Sequence, residues 1–234
     1  MRKILERPQT RASLIAAGVL VIALAALVAY VLRPSTAAPT SGSSAQPTLS
    51  ATNGTVYTID ASSSEASFTI HEVLFGAPNT VVGKTSDVSG QIAVDQQDPS
   101  KSQVGQIRVN LTSLVTDNNL RNHSIQNYIL ETDSSGNQYA TFATRAITGW
   151  PTSITLGQAV TLQLTGDLTV HGQTHSVTFP AQVTLKDAST LVGQAQTAIR
   201  YADYGISIPN VPSVTRVDST VQLAISFTAL AMNS

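Results

Sequence analysis

Cysteine is absent from the 234-residue chain, which excludes disulfide scaffolds, thiolate nucleophiles and cysteine-based metal centres together. Charge is scarce as well: Asp, Glu, Lys and Arg make up 12% of the residues, and 13 basic against 14 acidic side chains leave a net charge of -1. No segment of the folded part concentrates Lys and Arg, so nucleic-acid binding is disfavoured. A nucleophile elbow, a phosphate-cradling glycine loop and a zinc-helix motif are all missing. The acidic candidates Glu65, Glu72, Asp117 and Glu131 lie in separate elements, and sequence places no two of them as a catalytic pair. No catalytic residue and no metal ligand set is therefore assigned, and the chain is expected not to be an enzyme. Aromatic residues amount to only 5%, so any interior is mainly aliphatic.

Against these shortages stands one long hydrophobic run. Residues 12–32 carry no charge and are almost all Ala, Val, Leu, Ile or Gly, enough to cross a bilayer as one helix. Arg2, Lys3, Arg7 and Arg11 precede the run, and after Arg33 no charge appears until Asp60. The positive-inside rule then keeps residues 1–11 in the cytoplasm and exports the remainder. A cleaved signal peptide is the competing reading, since Ser35-Thr36-Ala37-Ala38 offers small residues, but the run exceeds the 7 to 15 residues typical of such peptides. Residues 33–54 are rich in Pro, Ser, Thr and Ala without apolar periodicity, the composition of a flexible stalk. A coil of about 20 residues reaches roughly 25 Å, which keeps the domain at 55–234 close to the outer membrane face. The expected location is the cell membrane, with a single pass and the carboxy-terminal domain outside the cytoplasm.

The domain is organised around residues 166–185, which open with Gly166-Asp167-Leu168-Thr169-Val170-His171-Gly172-Gln173-Thr174-His175-Ser176-Val177. Leu162, Leu164, Leu168 and Val170 recur at even spacing on one side, and Val177, Phe179, Ala181, Val183 and Leu185 on the other. Each flank is a strand with one apolar face, and the five residues His171 to His175 reverse the chain. A lone hairpin cannot bury its apolar face. The same alternation recurs at 55–60, 65–70, 88–94, 103–111, 139–147, 160–170, 177–185, 191–199 and 220–231. Residues 72–79 hold Gly76 and Pro78 and are expected to turn or form a rim loop, and 201–217 is expected to be irregular. Residues 117–131 break the period of two, with Leu120, Ile125, Tyr128 and Ile129 nearer a helical spacing and Asp117 as a candidate cap. The pattern suits an all-β, closed antiparallel barrel of about eight strands with a short helical insert. A two-sheet sandwich is the alternative. The polar outer face excludes an outer-membrane barrel.

Polar candidates are few. His171 and His175 share an HxxxH spacing that suits a metal on a helix, but here they flank a turn and read as exposed turn residues. Arg121 and His123 sit in the helical insert, where the pair suits an anionic or carbonyl head group. His71 faces away from Phe68 and Ile70. Arg200, Asp203 and Tyr204 interrupt the rhythm after a strand, which suits an ion pair fixing the barrel end.

Several stretches together resemble the YceI-like domains. These are Val56-Tyr57-Thr58-Ile59-Asp60, Val88-Ser89-Gly90-Gln91-Ile92, Arg121-Asn122-His123-Ser124-Ile125, Tyr139-Ala140-Thr141-Phe142, the hairpin quoted above, and Arg200-Tyr201-Ala202-Asp203-Tyr204-Gly205-Ile206. The resemblance covers nearly all of residues 55–232 and departs from the family pattern at Ser63-Ser64, Asn122 and Ser176. It implies a lipocalin-like barrel that binds polyisoprenoid lipid. On this reading the lumen is lined by Phe68, Ile107, Val109, Leu164, Val170, Phe179, Val183, Leu223 and Phe227, with Arg121 and His123 at the rim. No cofactor is implied; the ligand is a polyisoprenoid or a quinone, and the partners are that lipid and the membrane. The expected role is a tethered lipid carrier or buffer. The alternative from another class is an interaction module whose barrel is filled by its own side chains.

Overall fold

Period-two alternation sets the strands, and the positions where it lapses set their ends. The computed structural model describes residue 49 and residues 54–232. The expected anchor and nearly all of the expected stalk lie outside the described residues. Among the described residues no helix is long and apolar enough to cross a membrane.

Thirteen strands form one sheet: β1 Thr55–Ile59, β2 Glu65–Leu74, β3 Ala77–Thr85, β4 Val88–Ser89, β5 Gln91–Val94, β6 Gln103–Val104, β7 Ile107–Asn110, β8 Tyr139–Thr148, β9 Ala159–Val170, β10 Gln173–Leu185, β11 Thr190–Arg200, β12 Val214–Val217 and β13 Thr220–Ala231. All of the ladders are antiparallel. The main path runs β4-β7-β8-β9-β10-β11-β13-β1-β5-β6, and β2, with β3 and β12 beside it, branches from β13. The branch arises because β13 is too long for one partner on that edge. Its first half pairs with β2 (Gln222↔Thr69 to Ser226↔Glu65) and its end with β1 (Ala229↔Ile59 to Ala231↔Tyr57). Between β1 and β2 a 3-10 turn at Ala61–Ser63 is capped by the Asp60 carboxylate, which accepts from Ser62 N at 3.1 Å. Those Ser62 and Ser63 hydrogen bonds hold the Asp60 carboxyl below its ordinary range.

The result is a strongly curled, antiparallel all-β sheet with a short helical insert, in keeping with the expected fold class. Residues 88–94 pair with β1 on one side and with residues 103–110 on the other, and the bridge Lys84↔Val115, with N to O distances of 2.8 and 2.9 Å, links β3 to the segment after β7. Expected strands 88–94 and 103–111 are each split at a glycine. Gly90 and Gly105 lie between β4 and β5 and between β6 and β7. Residues 72–79, expected to turn or form a rim loop, turn at Phe75-Gly76, with the flanking residues continuing β2 and opening β3, and β12 forms inside the segment expected to be irregular. The β9–β10 reversal is also tighter than expected. His171 and Gly172 alone make the turn, with φ of 50° and 70°, and Gln173 already pairs with Val170.

The helical insert is present as α1, Asn119–Ser124, followed by a π-helical turn at Ile125–Ile129. Its cap is Asn118, whose Oδ1 accepts from Leu120 N at 2.9 Å and Arg121 N at 3.1 Å, not the expected Asp117. One end of the sheet, hereafter the upper end, carries this insert, the β2–β3 and β9–β10 turns and the β11–β12 link. The lower end carries the start of β1, the β8–β9 loop and the β10–β11 turn. Tyr57, Val88, Leu185, Leu191 and Ala229 pack the lower core, and Leu111, Phe142, Leu168, Ile199 and Tyr204 the upper.

Pro180 explains an irregularity in the wall. β10 pairs with β9 along its whole length, but its ladder to β11 stops at Ala181↔Ala195, one residue after Pro180. Proline has no N–H to donate, and above it a side-chain bond, Thr197 Oγ1 donating to Thr178 O at 3.0 Å, stands where the ladder would continue. The 3-10 turn Tyr201–Tyr204 packs against β10, with the Tyr204 ring edge-on to His175 at 4.9 Å.

Tyr57 and Tyr204 are almost completely buried, and burial pushes both phenols above their ordinary value, with Asp187 and Asp203 adding to the respective shifts. A raised folded-state value means that stability is complete below the unfolded tyrosine value near pH 10 and falls as pH rises through the folded values. Absorbance titration should therefore show that, of the five tyrosines in residues 54–232, Tyr57 and Tyr204 ionise late and together with loss of the fold. Titration of all five as one class before unfolding would contradict this.

Candidate functional site

Inward side chains of the curled sheet do not meet in the middle. They enclose a cavity of about 1050 Å³, so the interior is not filled by its own side chains. That volume is at the upper limit for small-molecule sites. All nine lumen candidates lie on its wall: Phe68, Ile107, Val109, Leu164, Val170, Phe179, Val183, Leu223 and Phe227. The wall continues beyond them at both ends. The insert adds Leu120, Ile125, Tyr128 and Ile129, the β11–β12 link adds Tyr201, Ile206, Pro209 and Val211, and the β8–β9 loop adds Trp150, Pro151 and Ile154. Helical spacing in the insert was the available sign of the first group. The other two come from segments without a period, which give no such sign.

The width of the cavity depends on where its phenylalanine rings rest. Phe68 lies opposite Gly83 and Phe227 opposite Gly193 in their ladders. A Cβ at Gly83 would come 2.2 Å from Phe68 Cε1, one at Gly193 2.6 Å from Phe227 Cζ, and one at Gly166 2.8 Å from Phe142 Cζ. Each ring thus lies back on the wall in space that only glycine leaves free. Phe142 is further fixed by an edge contact with Phe179 at 5.0 Å.

The charged side chains on the wall, Glu72 and Arg121, lie at the upper end with Asn118 and Ser124, while Ser102 and Gln158 line the lower end. Arg121 is not a free cation. Its Nη1 donates to Asp117 Oδ1 at 2.5 Å and its Nη2 lies 3.9 Å from Glu72 Oε1, which also accepts from Asn79 Nδ2 at 2.8 Å. The Arg121 and Glu72 side chains are only 23% and 12% exposed. His123, the second rim candidate, is off the wall. It is exposed, bonded to Asn127 and edge-on to Tyr128 at 5.8 Å.

His171 and His175 are not merely exposed turn residues. His175 Nε2 donates to the Asp203 carbonyl at 2.8 Å, and His171 Nδ1 to the Tyr204 carbonyl at 3.3 Å. His171 Nε2 faces Glu131 Oε2 at 3.8 Å. The two rings latch the β9–β10 turn to the β11–β12 link and to the end of the insert. Latching of residues 200–204 therefore runs through backbone carbonyls, and among the described residues no ion pair joins Arg200 to Asp203. His71 is exposed, with Nδ1 3.0 Å from Thr80 Oγ1.

The sequence matches the YceI-like domain family over residues 57–229. The chain belongs to that family. No curated protein matches it. Among solved structures, a polyisoprenoid binding domain from Saccharophagus degradans implicated in plant cell wall breakdown superimposes with a TM-score of 0.58 at 19% identity, covering 75% of this chain and 98% of that one. BcnA of Burkholderia cenocepacia gives 0.57 at 18% identity, covering 73% and 98%. The Campylobacter jejuni YCEI protein gives 0.50 at 16% identity, covering 64% and 85%. At these identities the likeness is one of fold, and this YceI-like domain shares the curled sheet with all three.

The glycine positions give a direct test of the cavity. Gly83→Ala and Gly193→Ala should each turn a ring into empty space, leaving stability within about 1–3 kcal/mol of the parent while shrinking the cavity. Uptake of a long-chain fluorescent lipid should drop in both, and Phe68→Ala should restore it in the Gly83→Ala background. Unchanged uptake would show that the rings do not set the bore.

Proposed function

We propose that this YceI-like domain holds a long apolar lipid of the isoprenoid class, a quinone among the candidates, inside the hollow of its curled sheet, which acts as a closed barrel around the cargo. The chain serves as a carrier or buffer tethered by residues 12–32 on the extracytoplasmic side of the membrane, and no covalent step is involved. The observation that carries the reading is the cavity itself: about 1050 Å³, walled by aliphatic and phenylalanine side chains, with its charged side chains at one end. Burial contributes about 0.8 kcal/mol per methylene, so a flexible hydrocarbon is retained by the walls. The Glu72, Arg121 and Asn118 group then faces the head. Family membership and the polyisoprenoid-binding relative support the same reading.

Native mass spectrometry of the full chain, gently extracted from its membrane, should release a long-chain lipid at close to one per protein. Repeated recovery of lipid-free protein would favour an interaction module instead. A carboxy-terminal reporter that is active only outside the cytoplasm checks the orientation, and activity of a cytoplasm-only reporter would overturn it.

A further inference from the structure

Four large apolar side chains at the upper end face solvent: Phe75 is 84% exposed, Leu120 82%, Tyr128 64% and Val211 46%. They come from four separate segments: the β2–β3 turn, α1, the π-helical turn and the β11–β12 link. The fold brings these segments together. Phe75 N donates to Ser213 O at 2.7 Å, Leu74 pairs with Val214, and Arg121 reaches Glu72. Leu120, Tyr128 and Val211 also line the cavity, so the exposed patch is the outer margin of the apolar wall.

Phe75 adds an independent sign. It sits at φ 49° and Gly76 at φ 81° in a two-residue hairpin turn, positions that Asn, Asp and Gly fill without strain. A bulky side chain there is an outlier, and nothing in the fold uses it, since the ring packs into no core. Local strain kept for an exposed ring points to a contact outside the molecule.

We infer that this apolar rim docks into the surface of a lipid bilayer, so that cargo passes between membrane and cavity without crossing water. The inference builds on the lipid-cavity reading for its purpose, though not for its geometry. The occupant is a bilayer rather than a protein because the rim is continuous with the cavity wall and because the sequence outside the described residues includes the apolar run at 12–32. β1 begins at the lower end, yet about 20 stalk residues reach up to ~70 Å when extended, more than the ~40 Å length of β13. The tether is therefore long enough for the rim to face the membrane. Arg121 is paired with Asp117 and Glu72, and Arg216 with Asp218 at 3.8 Å, while the exposed Arg200 at the same end is offset by the exposed Asp133 and Asp203, so the rim carries no cationic patch. Docking is then apolar and needs no anionic lipid.

The absence of cysteine makes single-site spin labelling clean. The full chain, reconstituted in phosphatidylcholine vesicles, would carry a nitroxide at Phe75→Cys, or at Leu156→Cys, which is exposed at the lower end. The label at position 75 should be more accessible to oxygen than to a water-soluble nickel chelate, and the label at 156 the reverse. A position-75 label as wet as the one at 156, a lipid-immersed label at 156 alone, or spin-spin broadening at 75 from a second copy would each overturn the proposal. Phe75→Ser, outside the cavity wall, should slow lipid uptake from vesicles about tenfold without changing the amount bound at equilibrium. An unaltered rate would also overturn it. If the parent chain binds no lipid at all, the cavity reading falls, while the label depths still decide the docking.

Discussion

Keeping an apolar interior unfilled is the constraint on which the rest of this structure depends. A hydrophobic core ordinarily collapses to close packing, and side chains swing into any void they can reach. Here the wall resists that collapse by geometry. Inward positions are held by ladders on both sides, and a register slip of one residue would turn the whole apolar set outward. The rings of Phe68, Phe142 and Phe227 are drawn back over glycines. The polar outer positions, many of them Thr, Ser and Gln, keep the other face wet. Both cores lie on the wall itself, one toward each end of the sheet, and their inner side chains line the space that stays open.

The upper end is held by a different kind of contact. Pro180 ends one ladder early, Tyr204 packs against β10, and His171 and His175 tie its turn down through backbone carbonyls. Backbone acceptors are always present, so a polar side chain can fasten to a loop without a matching partner in its sequence. The same end carries the Arg121 network, in which one guanidinium holds α1 to β2 through Asp117 and Glu72. Cavity wall, polar group and exposed rim thus come from the same few segments.

Much of this was legible from residues alone, for physical reasons that also explain the misses. Strong alternation in 160–170, 177–185 and 220–231 located β9, β10 and β13, because one-sided burial writes a period of two directly into the chain. The nine lumen candidates followed from that period and all lie on the cavity wall. The turn expected in 72–79 is there, but its tightness was not legible, because Gly76 and Pro78 are breakers in most settings, whereas here Gly76 makes a tight hairpin and Pro78 pairs with Val73 in the β2–β3 ladder. The branching of β13 between two partners was not legible, since it depends on which of two strands reaches a shared edge. Nor was the pairing of Arg121 with Glu72, which lie far apart in the chain. His171 was placed in the right turn, while His175 lies just past it in β10, and the carbonyl partners of both come from a segment that has no periodicity to place it.

The double partnership of β13 bears on how the chain acquires its shape. The last strand holds β1 and β2 on one edge and β11 on the other. A ribosome or translocon delivers the amino-terminal strands first, and they must wait, edges unsatisfied, until residues 220–231 emerge. Contacts of such long sequence separation make assembly slow, and the interval leaves greasy, unpaired strands open to misassociation. The few charges and the polar Thr, Ser and Gln rows along those early strands then have a second task, which is to keep the unfinished chain dissolved until its closing segment arrives.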